Sequence, residues 1–548
     1  MKRFKKLLWV LTALFILFQI STGSQPTIPK PRLVVLLVVD QMRADYPERF
    51  QSKFNGGFKR LLTEGVIFKE AYHQHAFTET GVGHATISTG SYPTNHGIVS
   101  NNWFDRKTQK KLYCVDDPEY VEFFEENRGR SPKYLLRSAL GDWLKAANPN
   151  SKVFSMALKD RSAILMGGKR PDGAFWYHRK TGQITTSTYY YKTLPRWVTE
   201  FNQKKLLDKY FDAGWTLLLP ADQYQESRED NFSSEFDGIH TTFPHRFDNM
   251  APNIDENFYR EIYYTPFGDE FILKFAETTV LTQQLGVDED PDLLCVGFSA
   301  GDALGHRYGP FSREAEDYYL RLDRYLADFF QFLDQTVGKA NYIVALSSDH
   351  GVLPLPEELQ RRGIDAGRIS YRDFKKSVNS IIEKVSKTFK ISSDKIYLGM
   401  QGGLYFDHSA FKKFNIDSVG YFTMLKEELI KLPNVKKIYT FLDFKGKNYS
   451  QTDKYFPLYL NNYFPYRSPD VQFLFEKNYI VTNSTHGTSH GTPYKYDRHV
   501  PFIFNGLNLR AKQMTEEVAT IDLAPTLAKI LGIQPQELDG KSLLDLMK

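Results

Sequence analysis

Cysteine is almost absent from the 548-residue chain: only Cys114 and Cys295 occur. Two cysteines make no disulfide framework, and no thiolate set exists for a structural zinc site. Cys295 lies within Leu293-Leu294-Cys295-Val296-Gly297-Phe298, which reads as a buried strand, so a free core thiol is expected there. Long apolar runs are also missing beyond residue 20, which leaves no other candidate membrane span. Charge of one sign is not in excess. Lys+Arg total 70 against 65 Asp+Glu, and no long lysine run occurs past the N-terminus. That balance gives no reason to expect a nucleic-acid partner. Internal repeats and low-complexity segments are absent too. What is there is apolar (41%) and aromatic (15%) enough to exclude disorder and to bury a large core.

The first residues carry a targeting pattern. Lys2, Arg3, Lys5 and Lys6 precede an apolar stretch, Leu7–Ile20, and the small or polar Ser21-Thr22-Gly23-Ser24 follows. A basic region, a short apolar region and a small-residue exit form a secretory signal peptide. The apolar stretch falls short of the about 20 residues that cross a bilayer. Residues 1–24 are therefore expected to be removed, leaving a protein in the periplasm or medium with no stable membrane anchor.

Five apolar runs read as strands buried on both faces, as in a parallel sheet covered by helices: Leu33–Val39, Val153–Leu158, Leu293–Phe298, Tyr342–Leu346 and Val500–Phe504. Helical patterns begin after Ser312, with apolar residues at Leu320, Leu322, Leu326, Phe329 and Leu333, and at Asp522–Leu531. This alternation predicts an α/β fold with a doubly wound, mostly parallel central sheet flanked by helices. Residues 25–548 read as one domain. Two stretches, about 170–265 and 365–480, break the rhythm and read as inserted cap regions.

Polar residues gather just past the carboxyl ends of these runs, where open α/β sheets bind ligands. Leu33–Val39 ends in Asp40. Leu293–Phe298 leads into Asp302 and His306, Tyr342–Leu346 into Asp349 and His350, and a late stretch carries His486 and His490. Singly, these are consistent with a helix cap, a buried histidine or a turn. Jointly, carboxylates and imidazoles at shared strand ends suit Zn²⁺. Thr80 lies in Thr78-Glu79-Thr80-Gly81-Val82-Gly83-His84, where glycines would let a substrate approach the backbone. A threonine hydroxyl needs activation to act as a nucleophile. Lys159 and Arg161 follow Val153–Leu158, and residues two apart share a face of an extended chain. Such a pair suits a doubly charged phosphoryl group, although a Lys-Asp-Arg triplet is also a common solvated loop.

These stretches, in this order, resemble the alkaline phosphatase superfamily, and most closely its monomeric bacterial, phosphate-irrepressible alkaline phosphatases with a threonine nucleophile. The resemblance runs from about Leu33 onward and includes Val38-Val39-Asp40-Gln41, Thr80-Gly81-Val82-Gly83-His84, Asn101-Asn102-Trp103, Lys159-Asp160-Arg161, Asp302 to His306, Ser348-Asp349-His350-Gly351 and Ser489-His490-Gly491-Thr492-Pro493. Gly81-Val82 departs from the more usual Ala-Pro. The resemblance implies two Zn²⁺ ions. Asp302, His306 and His490 would hold the first. Asp40, Asp349 and His350 would hold the second, with the Thr80 oxygen completing it. His486 is left out, because the Gly-Thr-Pro context follows His490. Asn101, Lys159 and Arg161 would bind the non-bridging oxygens of small phosphate monoesters, in a monomeric enzyme. The alternative is a phosphodiesterase or nucleotide pyrophosphatase with the same ligand set, which the Lys159/Arg161 pair disfavours. A sulfatase lacks support, since no Cys/Ser-x-Pro-x-Arg stretch stands at Thr80. A catalytically dead binding protein on this fold would have lost ligands, and none is lost.

Overall fold

Leu33–Val39 is a run of branched apolar side chains with no polar face, and it forms the fully buried central strand β1. The computed structural model describes residues 30–125, 127–446 and 452–547. The expected signal segment, residues 1–24, lies outside them. Eight further strands complete the central sheet: β2 (Val66–Tyr72), β3 (Val153–Ala157), β4 (Gly173–His178), β5 (Gln183–Thr185), β6 (Asp292–Phe298), β7 (Tyr342–Ser347), β8 (Phe502–Gly506) and β9 (Lys512–Ala519). Their order is β9-β2-β8-β7-β1-β6-β3-β4-β5. Strands β7, β1, β6, β3 and β4 run parallel to one another.

The period of two along β1 divides its side chains between two cores. Leu33, Val35, Leu37 and Val39 join one, with Phe271 and Leu322 from the helices Pro266–Gln283 and Arg313–Leu333. Val34, Leu36 and Val38 join the other, with Leu144 and Leu527 from Leu140–Ala147 and Leu523–Ile530. Helices thus cover both faces, as the alternation of patterns predicts. The Ser312 cap holds as well, its hydroxyl accepting from the Ala315 N–H at 3.0 Å.

Two sequence expectations need correction. The run Val500–Phe504 pairs only from Phe502, after Pro501, which has no N–H to offer, and it runs antiparallel to both β7 and β2. Apolar content reports burial, not strand direction. Residues 173–185, placed in the first cap by their lack of periodicity, instead form β4 and β5 at the sheet edge. Strand β4 is Gly-Ala-Phe-Trp-Tyr-His, buried along its whole length, so it shows neither alternation nor an aliphatic run. The stretch 365–480 contains a second, smaller sheet. An antiparallel sheet of Tyr397–Met400, Leu404–Phe406, Val471–Phe475 and Val435–Thr440 packs with the helices Tyr371–Thr388 and Ser418–Leu429 around its own core. Cys114 and Cys295 are both buried and unpaired, and burial pushes both thiols well above their ordinary range.

Candidate active site

Strand register assembles the site. One row of paired residues, Ser347, Val38, Gly297 and Ala157, crosses β7, β1, β6 and β3. Asp349, Asp40 and Lys159 each stand two residues beyond that row, on one edge of the sheet. Strand β6 runs instead into helix α1 (Ala300–Tyr308), where Asp302 and His306, four residues apart, share a face. Gly487, at φ +71°, lets a later loop lie against the His306 carbonyl, where a Cβ would stand 2.4 Å from that oxygen.

The three histidines are presented alike. Nδ1–H of His306 donates to the Thr488 carbonyl (2.8 Å), that of His490 to the Thr78 carbonyl (2.7 Å), and that of His350 to the Gly351 carbonyl (3.0 Å). A carbonyl only accepts, so in the neutral, metal-ligating form each ring carries its lone pair on Nε2, facing the carboxylates. Nε2 of His306 and of His490 lie 3.2 and 3.3 Å from Asp302 Oδ1. Nε2 of His350 lies 3.5 Å from Asp40 Oδ1 and 3.4 Å from Asp349 Oδ2. His486 joins neither group among the described residues.

Electrostatics mark this as a cation site. Asp40 Oδ1, Asp349 Oδ2 and His350 Nε2 are buried, close together and without hydrogen-bond partners. Three convergent lone-pair donors left without hydrogen bonds fit a divalent cation. Burial, then repulsion from Asp349, raises the Asp40 carboxyl well above its ordinary range. Burial pushes Asp349 up to about 6. Burial also opposes the charge on Asp302, but Lys159 and His306 beside it hold that carboxyl well below the usual range. Burial and neighbouring His490 keep His350 neutral, the form that ligates a metal. Two triads have donor atoms close enough to share an ion, Asp302–His306–His490 and Asp40–Asp302–His350. Asp349 faces the second triad but is also bonded by the Gln41 N–H at 3.1 Å.

Thr80 opens helix α2 (Thr80–Thr89) and is 1% exposed. Its Oγ1 accepts from Lys159 Nζ at 3.3 Å and from Arg161 Nη2 at 3.2 Å. Lys159 also donates to Asp40 Oδ2 at 2.6 Å and to Asp302 Oδ2. Asn101 Oδ1 accepts from the Gly81 N–H at 2.7 Å, which turns its amide nitrogen away from the helix. All ten residues singled out in the sequence therefore meet at one edge of the sheet.

Gly83 has a different purpose from the one expected of the two glycines. A Cβ on Gly83 would stand 2.2 Å from the Asp349 carbonyl oxygen, so this glycine seats α2 directly on the exit of β7. Gly83→Ala should force the helix off the sheet, with a loss of about 1–3 kcal/mol visible as a lower Tm.

Several site residues were not singled out in the sequence. Glu79 accepts from the Asn101 N–H (2.6 Å) and Ser100 Oγ (2.9 Å), fixing the Asn101 loop. Gln41, at φ +68°, donates from Nε2 to Asp302 Oδ1 at 2.8 Å. Tyr113 accepts from Arg161 Nη1 at 3.3 Å and donates to Asp160, which Arg128 and Arg130 also hold. Gln41 and Glu79 offered a signal only as sequence neighbours of Asp40 and Thr80.

Comparison with known proteins assigns the chain to a family. The model of the type I phosphodiesterase / nucleotide pyrophosphatase family matches residues 34–499. The alkaline phosphatase PafA of Elizabethkingia meningoseptica is 36% identical over 98% of both chains. The alkaline phosphatase PhoV of Synechococcus elongatus is 36% identical, over 95% of this chain and 94% of its own. The crystal structure of wild-type PafA superposes with a TM-score of 0.87 at 35% identity, covering 95% of this chain and 100% of that one. This chain therefore belongs to the type I phosphodiesterase / nucleotide pyrophosphatase family of the alkaline phosphatase superfamily, and is an enzyme of its alkaline phosphatase kind.

Proposed function

We propose that the enzyme hydrolyses small phosphate monoesters through a phospho-Thr80 intermediate, with two zinc ions as cofactors. The observation that carries this is the position of Thr80 Oγ1, within hydrogen-bond reach of both Lys159 and Arg161 and beside the carboxylate–imidazole edge. Asp302, His306 and His490 would hold one ion, and Asp40, Asp349 and His350 the other, with Thr80 beside it. When bound, such a pair supplies Lewis-acid stabilisation of the attacking and leaving oxygens. Thr80 Oγ attacks phosphorus and the alcohol leaves on the opposite side. Asn101, Lys159 and Arg161 donate to the equatorial oxygens, where charge accumulates. Water then cleaves the Thr80 Oγ–P bond and restores the hydroxyl.

The family description also covers diester cleavage. The monoester reading is favoured because Lys159 and Arg161 place two positive charges beside Thr80, matching a dianion. We read residues 25–548 as one monomeric catalytic domain, with the caps shaping access. The basic–apolar–small pattern at residues 1–24 supports export to the periplasm or medium. N-terminal sequencing should find the mature chain beginning near Gly23–Gln25. No helix among the described residues is long and apolar enough to cross a membrane.

Metal analysis tests the reading. The purified enzyme should carry about two equivalents of zinc. Chelation should abolish hydrolysis of an aryl phosphate and lower Tm, since a ligand bound only to the native state stabilises it. Full activity in metal-free protein would overturn the mechanism.

A further inference from the structure

Helix α2 carries a histidine that the proposed chemistry leaves unused. Four histidines between residues 73 and 96, His73, His75, His84 and His96, are fully buried. Among the described residues, His84 alone of the four has a carboxylate within ion-pair distance: its Nδ1 lies 3.3 Å from Asp349 Oδ2. The same nitrogen stands 2.8 Å from the Thr80 carbonyl oxygen, one helical turn back. A carbonyl only accepts, so Nδ1 carries the ring hydrogen, and Asp349 Oδ2 lies on that same side. Nε2, on the far side of the ring, is buried without a partner. An apolar side chain would fill this place without stranding a polar atom, so the contribution of the ring lies at Nδ1. Helix and strand end already touch here, since Gly83 lets α2 rest on the Asp349 backbone. His84 adds a side-chain link from the same helix to the Asp349 carboxylate.

We infer that His84 is a positioning residue, its Nδ1–H tying the backbone of Thr80 to the carboxylate of Asp349. The inference rests on the proposed roles of Thr80 as phosphoryl acceptor and of Asp349 as a ligand of the second cation. A carboxylate oxygen has lone pairs for a cation and for an N–H at once. A hydrogen bond to a ligating carboxylate turns it toward the cation, and loss of such a partner typically costs roughly 10- to 100-fold in metal affinity or activity. The Thr80 carbonyl is the other anchor. Oγ1 and that carbonyl belong to one residue in the first turn of α2, so holding the carbonyl beside Asp349 also holds Oγ1 in register with whatever Asp349 ligates. His84 touches no substrate and moves no proton in this role.

The test replaces the ring in two ways. His84→Leu fills its volume without an N–H, and His84→Asn carries an amide nitrogen at the place of Nδ1. Competition with a fluorescent zinc chelator should show one zinc ion bound roughly 10- to 100-fold more weakly in His84→Leu, and the other unchanged. His84→Asn should restore most of that affinity. At saturating zinc, single-turnover phosphorylation of Thr80 by p-nitrophenyl phosphate should slow roughly 10-fold or more in His84→Leu, and far less in His84→Asn. His96→Leu removes another buried histidine, bonded to Thr86 Oγ1 of the same helix, and should leave zinc affinity and phosphorylation unchanged. Should His84→Leu fail to fold, His84→Gln, whose amide lies one bond further out, gives the same contrast with His84→Asn. Unweakened zinc binding in the variant lacking an N–H at Nδ1, equal weakening in His84→Asn, or equal weakening in His96→Leu overturns the inference. Absence of phospho-Thr80 in the unmodified enzyme would refute the reading of the nucleophile instead, and zinc affinity would still decide the link to Asp349.

Discussion

Thr80→Ala protein should fold, retain zinc and lose phosphomonoesterase activity by roughly 10⁴-fold or more, since the covalent route is gone. The structural loss is small. Oγ1 makes its contacts to Lys159 and Arg161, both of which have other partners or substrate-facing donors. Alanine is a better helix former than threonine at the first position of α2. The Thr80 carbonyl, which accepts from His84 Nδ1–H at 2.8 Å, is untouched. Circular dichroism and metal analysis should therefore match the unmodified enzyme while turnover collapses. Thr80→Ser keeps a hydroxyl at the same atom and should retain much of the rate. Trapping of labelled phosphate on the unmodified chain, and not on Thr80→Ala, locates the covalent step. Near-normal turnover by folded, zinc-loaded Thr80→Ala would show that another group attacks.

The sheet and the candidate ligand residues were legible for a common reason. A parallel strand buried on both faces must be apolar throughout, so its end is marked by the first charged residue, as at Val39-Asp40 and Leu158-Lys159. Strand ends in parallel register then converge without further information. Strand β4 escaped because its aromatic and small residues lack both an aliphatic run and an alternation. Glu79 and Tyr113 escaped for a different reason. Each meets its partner through tertiary packing, Glu79 with Asn101 and Tyr113 with Arg161, and no local pattern encodes those pairings. Gly83 of α2 was visible but misread, because a glycine admits close approach by any neighbour. Here the neighbour of Gly83 is the Asp349 backbone.

Removing the cations beside Thr80 should change which ester the enzyme prefers. A monoester dianion presents three non-bridging oxygens; a diester presents two and carries a second organic group. Each charge-assisted contact to the transferring group is worth about 2–4 kcal/mol, or roughly 10²–10³ in rate. The double variant Lys159→Ala/Arg161→Ala should therefore lose kcat/KM for an aryl phosphate steeply, and much less for the matched methyl aryl diester. Both substrates share a leaving group and a nucleophile, so the comparison isolates the cations. Lys159 complicates the double variant, because its ammonium also offsets two buried carboxylates, Asp40 and Asp302. Leaving these without a cation destabilises strongly. The Lys159 change should thus lower Tm most in chelated protein, and zinc should restore much of it. Arg161 pairs with no carboxylate among the described residues and is anchored through Tyr113 and Thr80, so Arg161→Ala gives the cleaner measure of monoester choice. It alone should shift the monoester-to-diester ratio by roughly 10²-fold while zinc content stays at two equivalents. An equal fall on both esters would make the cations a support of the whole site and not a selector. Faster diester than monoester cleavage in the unmodified enzyme would replace the phosphatase reading with the phosphodiesterase one.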